Sequence, residues 1–219
     1  ILGLAVKSNI PNHNDLQELR WFSPASELQG STVNICGQEV FIGNNLIFNI
    51  AGGQGVKFAV EICEDLWAPV PVSSIHATNG AQVIFNLSAS SEAIEKHKYL
   101  LSLLKSHSAK TVSGYVYSSA GFGESTTDLV FAGDAIIAEN GKIISQSERF
   151  SIEEQLVIAD LDINYLEHDR TLRNTFTSSE NTFFSDGIIE IECEENLSGK
   201  NYEGIFRKIE QHPFVPQGK

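Results

Sequence analysis

Five short runs rich in valine, isoleucine and phenylalanine, at residues 1–6, 56–63, 82–87, 112–118 and 156–163, place apolar side chains at neighbouring positions with little regular alternation. Strands of that kind are buried on both faces, so other layers must cover them. Between the third and fourth runs lies SSEAIEKHKYLLSLLKSHSAK, where Ile94, Leu101 and Leu104 approach helical spacing. Ser90 or Ser91 is the expected N-cap of that helix, with Glu92 in its first turn. Residues 128–138 and 142–147 flank Glu139-Asn140-Gly141, and Asn-Gly supplies the positive φ values of a type I′ hairpin turn. Buried strands, a long helix and a hairpin together predict an α+β protein, a sandwich of sheets and helices rather than a bundle or small barrel.

The 219 residues suffice for one sizeable core. The net charge is -13, and from Ser151 onward 14 acids face 6 bases, which disfavours a nucleic-acid partner through repulsion of phosphates. No apolar run approaches the roughly 18 residues of a membrane span. Cys36, Cys63 and Cys193 are odd in number and widely spaced, which argues against a disulfide framework or a zinc site and fits a reducing cytoplasm. The opening ILGLAV has no basic flank and reads as a strand in progress, so an N-terminally incomplete domain is expected. The sequons at Asn86 and Asn196 are therefore read as chance matches.

Cys63 ends the run VKFAVEIC and is followed by Glu64-Asp65-Leu66-Trp67, so its thiol emerges where the chain leaves a sheet. A thiol with an ordinary pKa near 8.5 is only a few per cent ionised at neutral pH and needs a neighbouring cation or base to attack a carbonyl. A lone cysteine at a strand end is more often a small core residue. Lys7 follows the first run directly; spacing alone favours a solvated lysine over one that meets Cys63. Glu18 and Arg20 form, on spacing alone, an ordinary surface pair worth at most about 1 kcal/mol. The segment Asn86-Leu87-Ser88-Ala89-Ser90-Ser91 presents hydroxyls and amides that either bind a carboxylate or merely cap the helix. The polar loop at 121–128, with Glu124, is equally a site element or a tight turn. There is no P-loop, G-x-G-x-x-G, G-x-S-x-G or H-E-x-x-H, and the histidines lack ligand spacing, so no metal is expected.

In order and spacing, LGLAVKSNIPNHNDLQELRWF, EICEDLW, NLSASSEAIEKHK and GYVYSSAGFGESTTDLVFAGDAIIAENGKI resemble the lysine, nucleophile, substrate-loop and long signature segments of a known group. That group is the glutaminase domains of glutamine-dependent NAD synthetases, a branch of the carbon-nitrogen hydrolase, or nitrilase, family. The resemblance implies a four-layer α-β-β-α sandwich lacking its N-terminal part, with residues 1–211 as the glutaminase domain. HPFVP, within 212–219, is similar to the linker toward a synthetase domain. It further implies Cys63 as nucleophile and Lys7 as the lysine of a Glu-Lys-Cys triad, whose glutamate belongs to a segment preceding Lys7. Glu18 would support Lys7, the Glu64 backbone N–H would help hold the oxyanion, and His13, Ser90 and Lys96 would contact L-glutamine. His13 departs from the family, where tyrosine is usual. No cofactor is implied for this domain; ATP, Mg and deamido-NAD belong to the synthetase domain of the same longer chain. A homo-oligomer is expected from the family. A stand-alone amidase or nitrilase and a catalytically incomplete interaction module are the alternatives.

Overall fold

The computed structural model describes residues 1–14, 16–50, 55–124, 128–180, 187–193 and 204–209. Segment 212–219, the Asn196 sequon, His212 and positions 125–127 of the polar loop lie outside the described residues. A seven-stranded sheet has the order β10-β4-β5-β6-β7-β8-β9. Its strands are β4 (Leu46–Ile50), β5 (Val56–Ile62), β6 (Val83–Ser88), β7 (Gly114–Ser119), β8 (Ala135–Glu139), β9 (Lys142–Gln146) and β10 (Ile189–Cys193). β5, β6 and β7 run parallel, whereas β8 and β9 are antiparallel additions at one edge. A second sheet holds β1 (Gly3–Ala5), β2 (Thr32–Ile35) and β3 (Gln38–Gly43) in the order β1-β3-β2. The sheets meet at Gly3, where a Cβ would lie 2.8 Å from Cδ1 of Ile191 and 3.3 Å from Leu46 and Phe48.

Four helices, α1 (Val72–Thr78), α2 (Lys96–Thr111), α3 (Ile163–Leu172) and α4 (Asn174–Glu180), complete the described elements with single 3-10 turns at Glu18–Arg20, Ala25–Glu27 and Cys63–Leu66. Ile47, Ala59 and Ile84 from the sheet pack with Leu100 and Leu104 of α2 and with Tyr115, Tyr117 and Ile136. A face that is apolar at every second residue can be sealed by one amphipathic helix, and α2 does so. The α+β sandwich expected from the apolar runs is the observed class. None of the described helices is long and apolar enough to cross a membrane.

The Asn-Gly turn falls as expected: Asn140 and Gly141 have φ of 42° and 89°, and β8 pairs antiparallel with β9. Three expectations need correction. Residues 156–162 form no strand; Leu161 packs over Gly114, and Asp162 caps α3 by accepting the Tyr165 N–H at 2.9 Å. The run touches the sheet at Leu161 and ends in a helix cap, with Leu156 and Ile158 exposed. The helix expected from Ser90 or Ser91 starts only at Lys96, after Glu95 at φ 66°. Tertiary bonds outcompete the cap there: the Glu92 N–H donates to the Val130 carbonyl at 2.7 Å, Glu92 pairs with Arg149 at 2.6 Å, and Ile94 is left exposed. The hairpin strand expected from Asp128 begins at Ala135, because the buried Asp134 is drawn to Arg149 and His97 instead.

His107 of α2 is buried, and its Nε2 meets Ser73 Oγ of α1 at 2.7 Å. Burial pushes its pKa down from 6.5 to about 4, because an imidazolium there would lose its hydration. The unfolded chain thus binds a proton that the folded chain refuses. Stability from neutral His107 is complete above about pH 6.5 and is lost as the pH falls toward 4. Guanidinium unfolding at about pH 7 and about pH 4.5 is expected to show a loss on the order of 2 to 3 kcal/mol from this residue, absent in a His107→Gln variant.

Candidate active site

β5 delivers Cys63 to the end of a parallel strand and straight into the 3-10 turn Cys63–Leu66. Cys63 has a φ of 49°, in the left-handed region that a residue with a Cβ seldom occupies. Such a conformation costs on the order of 1 to 3 kcal/mol and persists only where the surroundings enforce it. They do so here: the Cys63 N–H donates to Asn86 Oδ1 on β6 at 3.2 Å, and the thiol-bearing residue is buried.

Lys7 lies just beyond β1 and is carried to this turn by a single carboxylate. Asp65, wholly buried, accepts the N–H groups of Ser8 at 3.0 Å and Asn9 at 2.7 Å, the Asn9 side-chain amide at 3.0 Å, and the Ile62 N–H at 3.1 Å. All its partners are N–H donors, matched to the acceptor oxygens of a carboxylate. Asp65 thereby fastens the segment after Lys7 to the segment carrying Cys63. The Glu18 N–H also donates to the Pro11 carbonyl at 3.1 Å, which brings Glu18 round toward Lys7.

The Lys7 ammonium pairs with Glu18 Oε2 at 2.5 Å, both side chains being only partly exposed. Glu18 thus faces Lys7, whereas Arg20 donates to Gln17 at 3.4 Å; the surface pair of Glu18 with Arg20 does not form. Glu64 looks into a cleft of about 470 Å³ lined also by Asn9, Pro11, His13 and Trp67. Burial raises the Glu64 pKa above its usual range, partly offset by the positive field of His13, Lys7 and Lys96, while Glu18 adds to the rise. Five charged or chargeable groups from four separate stretches therefore share one locale. Lys96, at the start of α2, donates to the Ser91 carbonyl at 2.6 Å and lies 5.5 Å from the Trp67 ring centre.

Ser90 stands on the other flank. Its N–H donates to Ser119 Oγ at 3.2 Å, and its hydroxyl reaches Tyr117. Tyr117 is buried and donates to Ser88 Oγ at 3.0 Å; burial, foremost, raises its pKa. The structure thus assembles Cys63, Glu64, Lys7, Glu18, His13 and Lys96 around one turn, with Ser90 joined through Tyr117. Asp65 and Asn86 are the residues that spacing does not single out. Their signal is a short polar side chain beside a strand end, too common in sequence to be distinctive. A groove of about 630 Å³ between α1, α2 and α4 touches none of these residues. Among the described residues no group of three or more His, Cys, Asp or Glu side chains is arranged to hold a metal.

Residues 6–171 match the model of a family described as carbon-nitrogen hydrolase. The chain belongs to this family, and its fold is of the nitrilase type. It is 36% identical over 220 residues to the glutamine-dependent NAD(+) synthetase of Mycobacterium leprae, an alignment covering 99% of this chain and 32% of the relative. The chain thus spans about a third of the length of the curated relatives it matches. The solved glutamine-dependent NAD(+) synthetase of Cytophaga hutchinsonii superposes with a TM-score of 0.60 at 25% identity, covering 71% of this chain and 24% of that one. A carbon-nitrogen hydrolase from Helicobacter pylori G27 shares the fold at a TM-score of 0.55 and 15% identity, covering 80% and 59%.

Proposed function

We propose that this chain hydrolyses the side-chain amide of L-glutamine at Cys63 and supplies the ammonia to a synthetase domain of the same longer protein. The observation that carries the reading is the Lys7–Glu18 pair, fastened by Asp65 beside the Cys63–Glu64 turn. The Cys63 thiolate attacks the amide carbon, and the carbonyl electrons move onto oxygen. Lys7 and the Glu64 N–H stabilise that oxyanion; its collapse, with the proton that the general base took from the thiol passed to the nitrogen, expels ammonia and leaves a glutamyl thioester. Water then adds, and a second collapse returns the thiol and releases glutamate. The general base is the glutamate that the family places in a segment preceding Lys7.

In this reading Glu18 keeps Lys7 aimed, while His13, Ser90 and Lys96 hold the glutamine. Ser90 and Lys96 offer a hydroxyl and a cation suited to an α-amino acid's charged ends; His13, where the family resemblance implies tyrosine, can still donate a hydrogen bond. Residues 1–211 form the glutaminase domain and 212–219 the linker toward a domain using ATP, Mg and deamido-NAD. The relatives' shared name and the near-complete alignment of this chain with them support the glutamine reading over a general amidase.

A substrate panel tests it. The full-length protein is given glutamine, asparagine, simple aliphatic amides and nitriles, and released ammonia is measured. Glutamine is expected to exceed the other substrates in kcat/KM by at least about 100-fold, because charged groups of the substrate that find no partners are strongly rejected. Equal or faster turnover of a simple amide would assign the site to a stand-alone amidase, and no turnover of any of them to an interaction module.

A further inference from the structure

The left-handed conformation of Cys63 has a dedicated polar support beneath it. Asn86 is wholly buried on β6, opposite Glu61 of β5. Its Oδ1 accepts the Cys63 N–H at 3.2 Å, and its Nδ2 lies 3.5 Å from the Cys63 carbonyl oxygen, so one carboxamide reaches both peptide groups of the nucleophile residue. The same Nδ2 donates to the Tyr115 hydroxyl at 3.1 Å, and that hydroxyl donates to Glu61 Oε1. Glu61 Oε2 accepts the Ser73 N–H of α1 at 3.1 Å, and Ser73 Oγ bonds His107 of α2. Glu61, Asn86, Tyr115, Ser73 and His107 are all buried.

We propose that Asn86, seated by Tyr115 and Glu61, is the positioning residue that holds Cys63 in its left-handed, site-facing conformation. This inference rests on Cys63 being the nucleophile of the proposed glutaminase. A chain of buried polar groups is unfavourable unless every member is paired, and apolar side chains would fill the same space at lower cost. This chain is paired throughout and ends on the peptide of Cys63. Only a carboxamide suits its last position. Aspartate would set a second acceptor against the Cys63 carbonyl and Glu61, and leucine would leave the Cys63 N–H without its side-chain acceptor.

The test uses the full-length protein with Asn86→Leu and Tyr115→Phe. Glutamine-driven and ammonia-driven NAD synthesis are measured, with the pH profile of iodoacetamide alkylation at Cys63, resolved by peptide mass spectrometry from Cys36 and Cys193. Asn86→Leu is expected to lower glutamine-driven kcat by about 100-fold with KM changed less than about threefold, and Tyr115→Phe by about tenfold, with ammonia-driven synthesis retained. The Cys63 alkylation profile is expected to shift in both. If both variants melt at lower temperature yet keep wild-type kcat and alkylation profile, the positioning role is overturned. Should Asn86→Leu fail to fold, Tyr115→Phe, which deletes one hydroxyl, decides alone. If the wild type does not consume glutamine, the glutaminase reading fails separately, and the alkylation profiles still support or overturn the positioning of Cys63.

Discussion

Replacing Cys63 by alanine is expected to lower glutamine-driven ammonia release by about ten-thousand-fold or more, while ammonia-driven NAD synthesis by the full-length protein stays within about twofold of wild type. Alanine keeps the strand end and the turn but has no nucleophile, so no thioester forms. The residue sits at the rim of the core rather than in its middle, and the loss of one sulfur there is a small packing change. Separating the two activities is what distinguishes a lost nucleophile from a lost fold. Loss of both would show that Cys63 holds the domain together; retention of both would remove it from the reaction.

The second large effect is expected at Lys7. Lys7→Met keeps most of the aliphatic stem but deletes the ammonium facing Glu18. Removal of one preorganised oxyanion donor commonly costs about 3 to 4 kcal/mol of transition-state stabilisation, so kcat for glutamine is expected to fall by about 100- to 1000-fold. The folding effect is smaller, since a partly exposed ion pair contributes about 1 kcal/mol or less. Steady-state kinetics beside a thermal melt separates the two. A kcat within tenfold of wild type would make Lys7 a partner of Glu18 and nothing more.

The hairpin at Asn140-Gly141 is legible in sequence because its backbone demands positive φ twice and few dipeptides meet that demand. Strands β5, β6 and β7 are legible because they are central, each paired with a strand on both edges, and carry short apolar runs. Of the second sheet only β1 is legible, inside the run 1–6; β2 alternates exposed and partly buried residues and gives no such signal. The stretch from 156 misleads for a physical reason: apolar residues in an extended segment that meets the sheet only at Leu161 look the same as residues inside a strand, and the cap at Asp162 decides between them. The helix start misleads because Ser90 and Glu92 have tertiary partners, Ser119, Tyr117 and Arg149, that local capping rules do not see.

At the site, local spacing makes Cys63 and Lys7 only weak candidates, and the resemblance of four ordered segments selects them. The fold explains why those segments travel together. Asp65 binds the Lys7 segment to the Cys63 turn, and Asn86 binds that turn to the strand leading into Ser90. The buried connectors Asp65 and Asn86 cannot be recognised before the strands are placed side by side, because their partners are 56 and 23 residues away in sequence.

The central claim is that Cys63 carries the glutamyl group. Acid quenching of the full-length protein during turnover of glutamine, followed by peptide mass spectrometry, tests it directly. A glutamyl adduct confined to the peptide containing Cys63, and absent from Cys36 and Cys193, is the predicted result. Sustained glutamate release with the Cys63 peptide unmodified, or an adduct on another residue, would contradict it.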